Sequence, residues 1–182
     1  WNAERKMFSE DLAQKRFSQH ANVLAVLGGL VDNATAKDLM LRVEPDKTID
    51  RCTVYFRYYL DCAMAKAGLG DRYVERLQTW DYMLKEGLTT WAEVDSPGTR
   101  SDCHAWGASP NVEFFRTVLG VDSAAPGFSK VRVQPHLGPL KKASGVVPHP
   151  KGLITVSVER RGAGYKLDVK LPPGVELSAD PA

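Results

Sequence analysis

Near residue 130 the spacing of apolar residues changes, and this change limits the chain to a two-part fold. In "KVRVQP" Val131 and Val133 alternate with charged residues. In "LITVSVER" Ile154, Val156 and Val158 alternate with Thr155, Ser157 and Glu159. In "YKLDVKLP" Leu167, Val169 and Leu171 alternate with Lys166, Asp168 and Lys170. Period two puts each set on one face of a half-buried antiparallel strand. Gly162 and Gly164 suit a hairpin turn, and Gly152 helps form another. "LKKASGVVPHP" reads as a further strand, ended by prolines that cannot donate to a ladder. Residues 123–182 are therefore expected to form a small antiparallel β-sandwich domain.

Upstream the period is three to four. In "SQHANVLAVLGGL" Ser18 can cap a helix whose positions Ala21, Leu24, Ala25 and Leu27 follow helical spacing. A short helix is expected over about residues 34–42, ending before Pro45. "TVYFRYYLDCAMAKAGLG" predicts a helix apolar on most sides, stopped by Gly68 and Gly70. "DRYVERLQTWDYMLKEG" predicts one that starts at Asp71 and buries Tyr73, Leu77, Trp80 and Leu84. A last helix runs to Leu119, with Pro110 marking a kink or a start near Ser109. "ERKMFSEDLAQKR" mixes both charge signs and reads as a solvated helical face. The expected class is α+β multidomain, with helical hairpins over residues 1–122.

The chain has 182 residues and a net charge of +2, with the basic residues scattered, so no strong field points to nucleic acid or a membrane. No apolar run has the length of a membrane span. No signal peptide is visible in the chain, which opens on Trp1. Three cysteines without CxxC spacing argue against a disulfide framework or a structural zinc site, and Cys52 and Cys62 read as buried thiols.

Chemistry is concentrated in "GLTTWAE" and the "TRSDCHAW" that follows it. Glu93, Asp102, Cys103 and His104 are metal-ligand types, but neighbouring residues do not converge easily on one ion, and zinc spacings are missing. We expect no metal and no cofactor. Cys–His catalysis would need a partner such as His20, which nothing pairs with Cys103. Carboxylate chemistry on a sugar is the third reading. Trp91 and Trp106 can stack on sugar C–H faces, and Arg100, Asp102 and His104 can bind hydroxyls. Against it stands the reading of both tryptophans as core anchors and of Arg100 and Asp102 as a local ion pair. The residue chemistry alone leaves these two open.

"GLTTWAE", "TRSDCHAW" with "GASPNVEFF", and "LGVDSAAPGFSKVRVQPHLGPLKKASGVVPHPKGLITVSVER", in this order, resemble the C-terminal end of bacterial α-L-rhamnosidases. "FSQHANVLAVLGGL" is similar to an earlier helix of that family. The resemblance implies part of an (α/α)6 barrel followed by a C-terminal β-sandwich. It also implies an inverting glycosidase that removes terminal α-L-rhamnose. Such an enzyme holds an acid and a base carboxyl roughly 6.5–9.5 Å apart, with a water between base and sugar. Glu93 matches the family's base, with Ala92 one residue more than in the shorter "TTxWE" form. His104 matches a sugar-binding histidine, with Arg100, Asp102, Trp91 and Trp106 as its neighbours. The family's acid lies in an aspartate- and arginine-rich motif that this chain lacks. A full barrel takes twelve helices, and five or six are legible here.

The expectation is thus a C-terminal fragment, inactive by itself, of an enzyme acting on a rhamnose-containing glycoside or polysaccharide. Apolar helix faces at a truncated barrel would favour homo-oligomers. The compartment stays open between bacterial cytoplasm and periplasm or exterior. The rival readings are a non-catalytic carbohydrate-binding module and a helical-barrel glycosidase for another sugar.

Overall fold

The computed structural model describes residues 1–162 and 164–179. The expected β unit over 123–182 includes Ala163 and residues 180–182, which lie outside the described residues. Contacts divide the chain into two units. One is Trp1–Gly70 with Leu77–Ser109, and the other is Asp71–Arg76 with the chain from Pro110 on. The class is α+β.

In the first unit, α1 (Gln19–Leu27) starts where Ser18 Oγ accepts the Ala21 N–H at 3.1 Å. Gly29 ends it in the left-handed region. The Leu30 N–H then reaches the Ala25 carbonyl, and the Gly29 N–H reaches that of Val26. α2 (Asn33–Val43) is capped by Asp32, and the Thr35 N–H it accepts holds its carboxyl below the usual carboxylate range. α3 (Val54–Lys66) ends at Gly68, as its glycines predict. The three helices share one core of Val23, Val26, Leu39, Met40, Leu60 and Met64.

The charged N-terminal stretch is not the helix expected. Residues 2–17 form turns and isolated bridges, Asn2 with Met7 and Ser9 with Phe17. The buried Asn22 accounts for this. Its side chain accepts the Phe8 N–H at 2.8 Å and donates to the Phe8 carbonyl at 3.0 Å, while Met7 sits in the core. Those backbone groups are taken by a long-range partner before a helix can use them.

The helix expected from Asp71 also starts later. Gly70–Arg72 and Val74–Arg76 are single 3-10 turns, and α4 runs over Gln78–Lys85. In the second unit Asp71 Oδ1 accepts the Gly138 N–H at 2.9 Å, and the buried Tyr73 ring lies edge-on to Phe114. These tertiary contacts outweigh local helix propensity. The later start rotates the buried face of α4 to Thr79, Trp80 and Met83 and leaves Leu84 exposed, contrary to the expected stripe.

From Ala105 a 3-10 turn leads into α5 (Ser109–Glu113), so the helix proper begins beside Pro110. Its continuation, Phe114–Val118, is a π-helical turn. Two three-stranded sheets complete the second unit. β1 (Val121–Ser123) pairs antiparallel with β2 (Lys130–Val133). β2 pairs parallel with β6 (Glu176–Leu177), outside the run of antiparallel strands expected. β3 (Lys142–His149), β4 (Gly152–Arg161) and β5 (Gly164–Lys170) form an antiparallel meander. Ile154, Val156 and Val158 are fully buried on one face of β4, as the alternation predicts. Leu167, opposite Val158, is partly exposed and not buried as expected, because β5 is an edge strand. A Cβ on Gly145 would come 2.6 Å from Leu119 Cδ1, so this sheet packs closely on the π-helical turn. Among the described residues no helix is long and apolar enough to cross a membrane.

Candidate active site

The segments "TTWAE" and "TRSDCHAW" meet through paired backbone. The Glu93 N–H donates to the Ser101 carbonyl at 2.9 Å, and the His104 N–H donates to the Trp91 carbonyl at 2.8 Å. Thr90 Oγ1 closes on the Asp102 carbonyl. Ala92 is buried among Val54, Trp80 and Met83, whereas Trp91 and Glu93 on either side are only partly buried. The small Ala92 therefore anchors the loop in the core and sends the carboxylate outward.

Arg100 grips that carboxylate with two bonds, Nε to Oε2 at 3.0 Å and Nη2 to Oε1 at 2.5 Å. Such a fork fixes orientation as much as it adds energy. The arginine is largely exposed, so its net contribution to stability is small. His104 Nε2 lies 3.8 Å from Glu93 Oε1, and the buried His104 Nδ1 has no hydrogen-bond partner among the described residues. The Trp106 ring tilts over His104 at 4.8 Å and over Tyr55 of α3 at 5.1 Å.

Of the residues singled out in the sequence, Glu93, Arg100 and His104 are brought together, with Trp106 against the histidine. Trp91 packs its ring at the edge of the core. The Asp102 side chain is exposed, and the ion pair that forms joins Arg100 to Glu93, not to Asp102. Cys103 is exposed.

Several supports went unread. The buried Trp80 Nε1–H donates to the Gly107 carbonyl at 2.7 Å. A Cβ on Gly107 would sit 2.7 Å from Trp91 Cβ, so only glycine lets the two segments approach. Thr79 Oγ1 donates to Asp95 at 2.8 Å, and Arg57 stands 3.9 Å from the same carboxylate. Tyr55 is 44% exposed beside Trp106, on a helix whose sequence is apolar on most sides. Only the "WG" in "HAWGAS" hinted at a close approach. Replacing Trp80 with phenylalanine keeps most of the packing and strands a buried carbonyl. It is expected to cost about 1–3 kcal/mol, read as a lowered midpoint in urea unfolding.

Residues 120–179 match the model of the bacterial alpha-L-rhamnosidase C-terminal domain. These residues thus have the character of a domain found at the end of a glycoside hydrolase, and the chain as a whole is similar to the C-terminal part of bacterial α-L-rhamnosidases. An alpha-L-rhamnosidase of Alteromonas sp. (strain LOR) is 30% identical over 109 residues, which is 54% of this chain and 12% of that protein. The crystal structure of a GH78-family rhamnosidase of Bacillus sp. GL1 aligns with 97% of this chain at a TM-score of 0.84 and 25% identity. The alignment covers 21% of that protein. An α-L-rhamnosidase of Streptomyces avermitilis, solved with L-rhamnose, shares the fold over 86% of this chain and 17% of its own, at a TM-score of 0.65 and 18% identity. The chain therefore spans a small part of the length of each of these relatives.

Proposed function

We propose that this chain supplies the base side of the active site of an inverting α-L-rhamnosidase, within a longer protein. On this reading the helices of the first unit are part of an (α/α)6 barrel, and the sheets are its C-terminal β-sandwich. The observation that carries the proposal is the Glu93–His104 pair on locked backbone, with His104 Nε2 3.8 Å from a carboxylate that Arg100 orients.

Glu93 takes a proton from a water, and that water attacks the anomeric carbon. The bond from this carbon to the leaving oxygen breaks as that oxygen is protonated by a carboxylic acid outside this chain. Arg100 holds Glu93 in one orientation, and each carboxylate oxygen keeps a second lone pair for the water. His104, with Nε2 beside Glu93, is suited to a rhamnose hydroxyl. Trp106 and Trp91 supply ring faces for its C–H surface, and Arg100 and Asp102 edge the pocket.

Hydrolysis of an aryl α-L-rhamnoside by the longer protein, followed by proton NMR, tests the proposal. The first-formed sugar is expected to be the β-anomer. The α-anomer first, or no hydrolysis, overturns it. This chain alone is expected to release no aglycone in the same assay.

A further inference from the structure

The second unit carries a charged groove that the reaction above does not use. It has a volume of about 450 Å³ and is lined by Lys141, Lys142, Glu159, Arg160 and Gly162. That volume lies in the usual range of small-ligand sites, about 300–1,000 Å³. Strand pairing builds it. Lys142 stands opposite Glu159, and the Arg160 N–H donates to the Lys141 carbonyl at 2.8 Å, which puts Lys141 across from Arg160.

Two features mark these residues. First, most basic side chains of the sheets have an acid beside them. Lys130 is paired with Glu176, Arg132 with Asp122, Arg161 with Glu159 and Lys166 with Asp168. Lys141 and Lys142 have no such acid within 4 Å among the described residues. Second, Arg160 is held in place. One Nη donates to the Gly138 carbonyl at 2.8 Å, and the guanidinium lies over the partly exposed Tyr165 ring at 5.3 Å. The bond to Gly138 uses one of five donors, and the remainder sit in a fixed plane in the groove that Lys141 and Lys142 also line. Glu159, the one acid among the described residues that line the groove, is already engaged by Arg161.

We propose that this groove binds an acidic sugar residue of a glycan, with the carboxylate or sulfate held by Arg160 and Lys141, which stand across from each other, and with Lys142 in the groove lining adding positive charge. The anionic charge follows from the groove alone. That the anion is borne on a sugar rests on the rhamnosidase reading. On that reading the site holds a neighbouring part of a polysaccharide while its rhamnose is cleaved elsewhere.

The test is calorimetric titration of the purified chain at low salt with trigalacturonate, a sulfated disaccharide, maltotriose and inorganic sulfate. At least one anionic sugar is expected to bind, more weakly at higher salt, and maltotriose is not. Which anionic arm binds identifies the acid group. Lys141→Ala with Lys142→Ala should weaken that binding roughly 5- to 20-fold, since exposed pairs contribute modestly one by one. Both lysines are exposed, so the unfolding midpoint should stay put and serves as the folding check. The proposal is overturned if neither anionic sugar binds, if maltotriose or free sulfate binds as well as they do, or if the double variant binds unchanged. These readouts involve no hydrolysis. A failed rhamnoside assay therefore removes the rhamnosidase reading and leaves the binding result standing.

Discussion

Glu93→Gln in the longer enzyme is expected to lower kcat by about 10²–10⁴-fold, the usual contribution of a positioned general base, with affinity for rhamnose nearly unchanged. Glutamine keeps the size of the side chain and one acceptor oxygen, so the Arg100 contact survives in part. The backbone pairing of Glu93 with Ser101 and of His104 with Trp91 involves no side chain and should persist. What disappears is the capacity to take a proton from water. The informative measurement is therefore the split between kcat and KM on an aryl rhamnoside. A rise in KM with kcat intact would mean that Glu93 binds sugar and that the base lies elsewhere. Arg100→Ala should fall between the two: Glu93 loses its orientation and keeps its charge.

The candidate site was legible in the sequence because its parts are close along the chain. Glu93, Arg100 and His104 lie within one loop, and the order of motifs around them is characteristic. Its supports were harder to read. Trp80, Gly107 and Tyr55 come from other elements, and nothing in their local sequence indicates that they converge on the loop.

The fold divides in the same way. Helix starts at Ser18 and stops at Gly29 and Gly68 follow from local backbone chemistry, and the alternation in β4 follows from its burial on one face. The N-terminal segment and residues 70–76 were misread because Asn22 and the Gly138 amide pair with them across long sequence separations. The parallel partner β6 has only two residues and no period to read. Leu167 has the alternation of a buried strand residue, but alternation cannot tell an edge strand from a central one.

Gly120→Ala is expected to destabilise the β unit by on the order of 4 kcal/mol, among the largest effects of a single substitution. Gly120 joins the π-helical turn to β1 in the left-handed region, with φ +72°. That conformation alone costs a residue with a Cβ about 1–2 kcal/mol. The larger part is steric. The new Cβ would lie 2.0 Å from the Gln134 carbonyl carbon, 2.1 Å from its oxygen and 2.5 Å from its nitrogen. These are backbone atoms and cannot rotate away as a side-chain tip could. The Gln134 N–H also donates to the Gly120 carbonyl at 2.9 Å, closing the end of the β1–β2 pairing. Relieving the clash therefore breaks this bond and spreads β1 from β2, which carries the buried Val131. Gly127 is the matched control. It too is left-handed, with φ +67°, but a Cβ there meets nothing within 4 Å. Gly127→Ala should cost only the conformational term. Urea unfolding followed by circular dichroism at strand wavelengths should separate the two midpoints clearly. Equal shifts would mean that the close approach of Gly120 to Gln134 does not hold the hairpin.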